Sequence, residues 1–278
     1  MHAAFNSGQT LVANLGQALA SHSSQVITTP FTFFSTAEAI ALLGATPVFA
    51  DIDPDTYNIT AESIAARAEK VRSEGKLNLR GVITVDLFGL PCDYETILPV
   101  AKEHEMFVIQ DAAQAFGATY QGQGVPIQGD IGTTSFFPAK PLGCYGDGGA
   151  VFTNDEQLAE KLQSIRIHGK GIDKYDNVRI GLNARLDTFQ AAILLEKLKI
   201  YEDEIKERQR IAKGYARGLA GIGLKLPSVP DGSTSVWAQF TVQSDERTSI
   251  QAKLKENDIP SAVYYVKPLH LLEAFADL

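Results

Sequence analysis

The sequence is poor in cysteine: among its 278 residues only Cys92 and Cys144 carry a thiol. Two cysteines cannot build the disulfide framework that stabilises small secreted domains. The composition therefore argues against an extracellular disulfide scaffold and favours a reducing compartment. We expect a cytoplasmic protein.

Long hydrophobic runs are also missing. The nearest approach to a membrane span, Phe31–Ala50, contains Glu38, Gly44 and Pro47, and it is more typical of a short helix followed by a strand. The N-terminus shows no basic stretch followed by an apolar core, so no signal peptide is predicted. We expect a soluble protein with no membrane partner.

Excess positive charge is absent as well, because 25 lysines and arginines face 33 acidic residues and give a net charge of −8. Such a chain is not expected to bind nucleic acid or an anionic membrane. The acidic average remains compatible with a local basic pocket for a phosphorylated ligand. No metal site is predicted.

The composition and the pattern of the remaining residues are typical of a globular α/β protein. The content of 45% hydrophobic and 21% charged residues is ordinary for this class. Strand-like and helix-like segments alternate, which indicates a mostly parallel sheet with helical crossovers. The predicted strands are Val26–Thr29, Thr46–Ala50, Gly81–Val85, Met106–Ile109 and Gly149–Thr153, and the predicted helices are Thr36–Leu43, Thr60 to about Ser73, Tyr94–His104, Glu156–Ile165 and Thr188–Leu219.

The pattern changes after Gly221, which gives the predicted domain boundary. Residues 1–220 form a large domain that ends in the long helix, and residues 221–278 begin a smaller α/β domain. There we predict strands at Val236–Val242 and Ile259–Val266 around a helix at Thr248–Glu256. We expect this small domain to be incomplete, because the last predicted segment should be followed by more structure.

Two residues able to carry chemistry follow neighbouring apolar runs. Asp111 comes at the end of Met106–Ile109, and Lys140 comes just after Thr134–Phe137. A carboxylate fixed at a strand end can hold a pyridine nitrogen protonated, and a lysine can form a Schiff base with an aldehyde. This order suits a pyridoxal phosphate enzyme, although such an aspartate is more often a cap and a lone lysine more often a surface charge.

A glycine-rich turn follows the lysine and contains Gly143, Gly146, Gly148 and Gly149. It leads into a strand and lacks the strand–glycine–helix context of a dinucleotide fingerprint, so we do not predict a Rossmann cofactor. We expect these glycines to supply positive φ and a close approach of the backbone.

Four segments in one order make the hypothesis specific. They read Asp-Ala-Ala-Gln-Ala-Phe-Gly-Ala, Gly-Asp-Ile-Gly, Ser-Phe-Phe-Pro-Ala-Lys and Gly-Asp-Gly-Gly-Ala-Val. Together they resemble the DegT/DnrJ/EryC1/StrS family of pyridoxal phosphate-dependent, fold-type I sugar aminotransferases. The resemblance covers residues 26–278 well and residues 1–25 poorly. It implies a three-layer α/β sandwich with a mostly parallel sheet, and pyridoxal 5′-phosphate as the cofactor.

The resemblance also implies roles for the central residues. Lys140 is the lysine that forms the Schiff base and later moves the substrate proton. Asp111 pairs with the pyridinium nitrogen through a charge-assisted hydrogen bond. Relatives with histidine at the lysine position are dehydratases, so Lys140 favours an aminotransferase.

Three further side chains are implied to contact the cofactor. Gln114 would meet its ring hydroxyl, Ser135 its phosphate, and Phe33 the face of its ring. Phe31 and Phe34 are expected to lie in the core, because a run of aromatic residues normally packs. For Gln114, an ordinary polar residue at a helix start is the alternative.

The phosphate site of the family is altered at the N-terminus of this chain. The region reads Ser-Gly-Gln-Thr from Ser7, with an extra residue in the family's Ser-Gly-Thr turn, so Gly8 and Thr10 stay candidates only. Asn183 lies in Gly-Leu-Asn-Ala-Arg-Leu-Asp, which resembles the family segment whose asparagine reaches the phosphate of the neighbouring subunit. A homodimer with shared active sites is therefore implied. The alternative for Asn183 is a turn before the helix in which Asn183 merely caps, and Asp187 could cap the following helix regardless.

The substrate-side segments resemble those of members that act on nucleotide-linked keto-sugars. His168, Tyr265 and His270 are the candidate contacts to sugar or diphosphate groups. The sequence around Thr29–Pro54 most resembles members that aminate the 3-keto position of UDP-linked N-acetyl hexuronic acids. Those members serve bacterial surface polysaccharide synthesis, including lipopolysaccharide, and glutamate is the expected amino donor.

Two other hypotheses stay open at this point. One is a truncated or divergent, non-catalytic member of the same fold, which binds the cofactor weakly or acts as a dimer partner. The altered N-terminal motif favours it, whereas Asp111, Gln114, Ser135 and Lys140 oppose it. The other is sugar dehydration, against which Lys140 argues.

Overall fold

A seven-stranded mixed sheet is the centre of the molecule. The computed structural model describes residues 2–5, 24–75, 78–173 and 175–276. The strands of the main sheet are β1 (His2–Phe5), β2 (Ser24–Thr28), β3 (Thr46–Phe49), β4 (Asn78–Val85), β5 (Phe107–Asp111), β8 (Ile131–Ser135) and β9 (Gly149–Phe152). A three-stranded antiparallel sheet contains β6 (Thr119–Tyr120), β7 (Gln123–Gly124) and β10 (Ser233–Thr234).

The main sheet has the order β1-β9-β8-β5-β4-β2-β3. The four pairs from β3 to β8 are parallel, and β9 is antiparallel to both of its neighbours. The carboxyl ends of β4, β5 and β8 therefore meet at one edge, which is where open α/β sheets bind ligands. The predicted mostly parallel sheet is confirmed.

Helices cover the sheet and connect its strands. They are α1 (Ser35–Leu42), α2 (Ala61–Glu74), α3 (Tyr94–Glu103), α4 (Glu156–Ile165), α5 (Thr188–Gly218) and α6 (Arg247–Glu256). Thr60 caps α2, because its Oγ1 accepts a hydrogen bond from Ser63 N at 3.2 Å. None of the described helices combines the length and the apolar character needed to cross a bilayer.

Consecutive residues of each central strand supply two separate cores, since neighbouring side chains of a strand point to opposite faces. On one face the sheet packs against α2 and α3. The core on this face includes Ile27, Val82, Val108, Ile64 and Ile97. On the other face it packs against α1 and α4, with Val26, Ile83, Ile109, Ile40 and Leu162. This is the expected three-layer sandwich.

The region after Gly221 departs from the prediction. The predicted helix is confirmed as α6, but the predicted strands Val236–Val242 and Ile259–Val266 are wrong. Trp237 has φ +52°, outside the extended region. Among the described residues, Val236–Val242 forms no strand ladder and makes only single backbone hydrogen bonds, from Val236 N to Gly89 O and from Gln239 N to Phe88 O. A strand without a neighbour leaves its backbone groups unpaired, which explains why neither segment forms one.

Residues 221–276 pack on the first part of the chain. β10 pairs with β6, Val236 N donates to Gly89 O at 3.0 Å, and Leu269 N donates to Pro30 O at 2.8 Å. Leu269 and Phe275 are buried beside Ala37 of α1. The domain boundary at residue 220 stays a prediction.

We expect Gly132→Ala in β8 to lower the free energy of unfolding by about 1–3 kcal/mol, because the added methyl group overlaps the carbonyl oxygen of Pro126. Gly214→Ala in α5 is the matched control. Its methyl group meets no atom within 4 Å. It should therefore raise stability by about 0.5–1 kcal/mol, as alanine does in a helix interior. Urea unfolding of both variants checks this, and equal effects would contradict it.

Candidate active site

The carboxylate of Asp111 ends β5 at the ligand-binding edge of the sheet. Asp111 Oδ2 accepts a hydrogen bond from Thr36 Oγ1 at 3.0 Å, and Oδ1 accepts one from Ala113 N at 3.1 Å. Burial raises the pKa of the carboxyl, while these hydrogen bonds and the charge of Lys140 lower it. None of the salt bridges among the described residues includes Asp111, so its charge has no ion-paired cation.

Lys140 lies in the turn that follows β8, the strand next to β5. Its backbone N–H donates to Phe137 O at 2.8 Å, and the residue is half-buried. Burial lowers the pKa of the amine, and the charge of Asp111 raises it. The two side chains are therefore within electrostatic reach of each other. The structure brings together the two residues that the sequence analysis placed first.

The glycine-rich turn folds back on the lysine segment. Cys144 N donates to Phe136 O at 2.7 Å, and a side chain at Gly143 would meet Pro138 O at 2.5 Å. The expected close approach of the backbone at this turn is thus confirmed. The expectation of positive φ is wrong, because all four glycines of the turn keep φ outside the left-handed range. Their small size is what the turn requires, since backbone and side chains pack against them.

Helix α5 holds the same turn from outside. Gln190 Oε1 accepts a hydrogen bond from Tyr145 N at 2.8 Å, and Lys197 Nζ donates to Gly143 O at 2.5 Å. Leu194, between them on the helix, is buried beside Phe136. The position of the lysine loop therefore depends on α5.

The remaining cofactor candidates of the central segments lie around Asp111 and Lys140. Gln114 Oε1 accepts from Phe88 N at 2.7 Å, and its Nε2 donates to Tyr265 Oη at 3.3 Å. Ser135 Oγ, at the end of β8, accepts from Phe137 N at 3.2 Å. Gly8 and Thr10 lie outside the described residues.

The aromatic run after β2 divides as predicted. The ring of Phe31 lies 5.5 Å from that of Tyr265, and Phe34 lies 5.4 Å from Phe275, so both rings pack inside the molecule. Phe33 instead keeps 60% of its surface exposed. An exposed ring beside a helix start is available to stack on a ligand.

The structure places the substrate-side candidates in two regions. Tyr265 reaches Gln114, and burial raises the pKa of its hydroxyl to about 12. His270 is exposed, with its ring 6.2 Å from that of Phe49. His168 and Asn183 lie in adjacent paired segments and are both exposed. Within the described part of the chain, neither forms a hydrogen bond with Asp111 or Lys140.

Asn183 makes a local contact rather than a helix cap. Its Oδ1 accepts from Arg185 Nε at 3.1 Å. Asp187 occupies the N-cap position of α5, but its side chain forms no capping hydrogen bond. The capping alternative for this segment is therefore not supported.

Thr36 is a residue that the sequence analysis missed. Its buried hydroxyl donates to Asp111 across 75 positions of sequence. The available signal was weak: a hydroxyl residue in the first turn of a helix that follows an aromatic run. The contact depends on the chain crossover that places α1 beside the end of β5, and this crossover cannot be deduced from the residues near Thr36 alone.

The pKa of Lys140 gives a prediction for cofactor-free protein. Since burial lowers this pKa, we expect the amine to react at a lower pH than an exposed lysine does. Asp111→Asn removes the charge that raises the pKa, so the reaction should begin at a still lower pH. Labelling with an amine reagent across pH, followed by mass spectrometry, measures this.

Asp130→Asn is the control, because that carboxylate bonds Val108 N at the opposite end of β5. It should leave the labelling profile of Lys140 unchanged. A profile that moves to higher pH in Asp111→Asn would show that the two side chains do not interact as described.

Comparison with known proteins agrees with this geometry. The model of the DegT/DnrJ/EryC1/StrS aminotransferase family matches residues 2–278. A curated relative, the UDP-2-acetamido-2-deoxy-3-oxo-D-glucuronate aminotransferase of Pseudomonas aeruginosa, is 46% identical over 91% of this chain and 68% of its own length.

Solved structures show the same fold. A DegT DnrJ EryC1 StrS aminotransferase from Brucella abortus aligns with a TM-score of 0.97 and 47% identity, covering 99% of this chain and 74% of that one. NtdA from Bacillus subtilis, solved with bound cofactor PMP, aligns with a TM-score of 0.85 and 28% identity, covering 98% and 62%. The chain belongs to the DegT/DnrJ/EryC1/StrS aminotransferase family, whose members depend on pyridoxal phosphate.

Proposed function

We propose that this protein transfers an amino group from an amino acid, with glutamate as the donor, to a nucleotide-linked keto-sugar. The pairing of Asp111 with Lys140 at the carboxyl ends of β5 and β8 carries the proposal. The relative that acts on a UDP-linked 3-oxo-glucuronate supports a UDP-linked 3-keto-sugar acid as the substrate. A role in bacterial surface polysaccharide synthesis follows from that substrate class. Both cysteines are free and buried, which supports a reducing cytoplasm.

The residues at the sheet edge fit pyridoxal phosphate. Each oxygen of the buried Asp111 carboxylate accepts one hydrogen bond and keeps a free lone pair. A protonated ring nitrogen would supply the missing charged donor. Lys140 offers an amine for the aldehyde, Phe33 an exposed ring face, and Ser135 a hydroxyl for the phosphate. When bound, the cofactor supplies a ring that withdraws the electrons left at the substrate carbon after its proton is removed.

The side chains of this chain do the rest of the chemistry. Asp111 holds a proton at the ring nitrogen, which a charge-assisted hydrogen bond stabilises. Lys140 Nζ would take the proton from the substrate carbon and deliver it to the C4′ carbon of the cofactor. Its lowered pKa suits this work, since a base must be neutral to accept a proton. The second N–H of Gln114 Nε2 is available for the ring hydroxyl.

Tyr265, His168 and His270 are the proposed contacts to the substrate. Tyr265 lies against Gln114, and its pKa of about 12 keeps the hydroxyl protonated at neutral pH, so it can donate to a sugar oxygen. His168 and His270 are exposed and would bind diphosphate or sugar groups. We also propose that Gly8 and Thr10 contact the phosphate of the cofactor.

We also propose a homodimer. Ile172, Ile180 and Phe189 expose 94%, 95% and 84% of their surfaces and flank Asn183. Exposed apolar residues concentrated in one segment are typical of an interface between proteins. A second copy on this surface would place Asn183 next to the neighbouring cofactor phosphate. Both active sites would then be shared.

Lys140→Ala tests the proposed chemistry. Pyridoxal phosphate added to the unchanged protein should give the absorption band of covalently bound cofactor, and glutamate should convert it to the pyridoxamine spectrum. The variant should give neither change, and transamination should fall by about 10²–10⁴-fold, as expected for loss of a general base. Lys102→Ala, an exposed residue of α3, is the control and should behave as the unchanged protein. Full turnover in Lys140→Ala would overturn the mechanism.

A charge at the proposed interface should produce a monomer. We expect Ile180→Glu combined with Phe189→Glu to halve the mass measured by sedimentation, because burying two unpaired carboxylates is unfavourable. The monomer should also bind pyridoxal phosphate more weakly, since Asn183 then reaches no neighbouring phosphate. Ile259→Glu, at a half-exposed apolar residue outside this segment, is the control. A monomeric unchanged protein would refute the dimer.

A further inference from the structure

A second carboxylate lies behind Asp111 and has no part in the chemistry described so far. Asp86 follows the last residue of β4 and is fully buried. Its Oδ1 accepts hydrogen bonds from Tyr94 Oη at 2.7 Å and Cys92 N at 2.9 Å, and its Oδ2 accepts one from Gln110 Nε2 at 2.7 Å. No salt bridge among the described residues includes it.

The charge of Asp86 persists at neutral pH despite its burial. Burial raises the pKa of the carboxyl to about 6, against the lowering effect of its three hydrogen bonds. The titratable groups that face it are Cys92, Tyr94 and Asp111. Burial raises the pKa of the first two well above their ordinary values, so they stay neutral and bring no opposite charge.

Asp86 is joined to the strand end that presents Asp111. In the parallel pairing of β4 with β5, Val85 lies opposite Asp111, and Asp86 N donates to Asp111 O at 3.0 Å. Gln110, the residue before Asp111, points to the other face of the sheet and there donates to the Asp86 carboxylate. Both the backbone and the preceding side chain of Asp111 are thus fixed by Asp86.

We propose that Asp86 is a positioning residue for Asp111. Asp86 fixes the end of β5 from the opposite face of the sheet, and its negative charge helps to hold the proton on the ring nitrogen of the cofactor. This inference rests on the cofactor site proposed above.

The carboxylate of Asp86 adds a negative charge to the hydrogen bonds at this place. An asparagine has nearly the same volume and could accept the hydrogen bonds of Cys92 N and Tyr94 Oη, although its amide nitrogen could not accept the one from Gln110 Nε2. The charge of Lys140 lowers the proton affinity of Asp111, and the like charge of Asp86 acts in the opposite direction. A proton shared between Asp111 and the ring nitrogen is therefore retained to higher pH.

Asp86→Asn tests the role of the charge. The readout is the ¹⁵N chemical shift of the ring nitrogen in protein loaded with labelled pyridoxal phosphate, which reports its protonation directly and needs no turnover. We expect the ring nitrogen to lose its proton about one pH unit lower in the variant than in the unchanged protein. The control is Thr84→Val, which removes the hydroxyl 2.9 Å from Tyr94 Oη and changes no charge. It should lower stability and leave the ring titration unchanged.

Tyr94→Phe gives an independent test should Asp86→Asn fold poorly. It removes a donor that lowers the pKa of Asp86, so that pKa rises from about 6. The small change in the ring signal that accompanies protonation of Asp86 should then move to higher pH. Identical titrations in all variants would overturn the inference alone. Failure of the unchanged protein to bind pyridoxal phosphate would overturn the proposed function and the inference with it.

Discussion

A carboxylate buried without an ion-paired cation is the constraint on which the rest of this site depends. Burial raises the pKa of Asp111, and three groups act against that rise: the hydroxyl of Thr36, the amide of Ala113 and the charge of Lys140. Burial therefore acts against the charge of this carboxylate, and these three groups act for it. The same environment lowers the pKa of Lys140, since the amine is partly withdrawn from water. Burial of the same region therefore suits both residues to their roles: Asp111 as the partner of the ring proton, and Lys140 as the neutral base.

The sheet makes this arrangement possible because alternate residues of a strand serve opposite faces. In β5, Ile109 and Asp111 share one face with α1, while Val108 and Gln110 share the other with α3. Thr36 can therefore reach Asp111 from one side, as Asp86 reaches Gln110 from the other. The strand end is held from both faces, which a loop residue could not achieve.

Sequence reasoning predicted the mostly parallel sheet and its helices up to residue 220, and it singled out Asp111 and Lys140, for identifiable reasons. Strands β1, β6, β7 and β8 were not among the predicted strands. Buried strands are continuous apolar runs, and Asp111 and Lys140 stand in segments with a distinctive order. Thr36 and Asp86 escaped it, because Thr36 contacts Asp111 across 75 positions and Asp86 contacts Gln110 across 24, and each residue is locally ordinary. The strands predicted at Val236–Val242 and Ile259–Val266 failed for a different reason: apolar composition shows the tendency to extend but not the presence of a neighbouring strand.

Helix α5 connects the proposed interface to the catalytic lysine. Gln190 and Lys197 bind the turn that follows Lys140, while Phe189 and Leu195, on the same helix, expose apolar side chains. In a monomer, water competes for the two hydrogen bonds, which lie at a half-exposed surface. A second copy over the apolar residues would exclude that water, and hydrogen bonds shielded from solvent are stronger. Dimerisation would thus order the lysine loop in addition to supplying Asn183, so the proposed interface and the position of Lys140 are parts of one structural requirement.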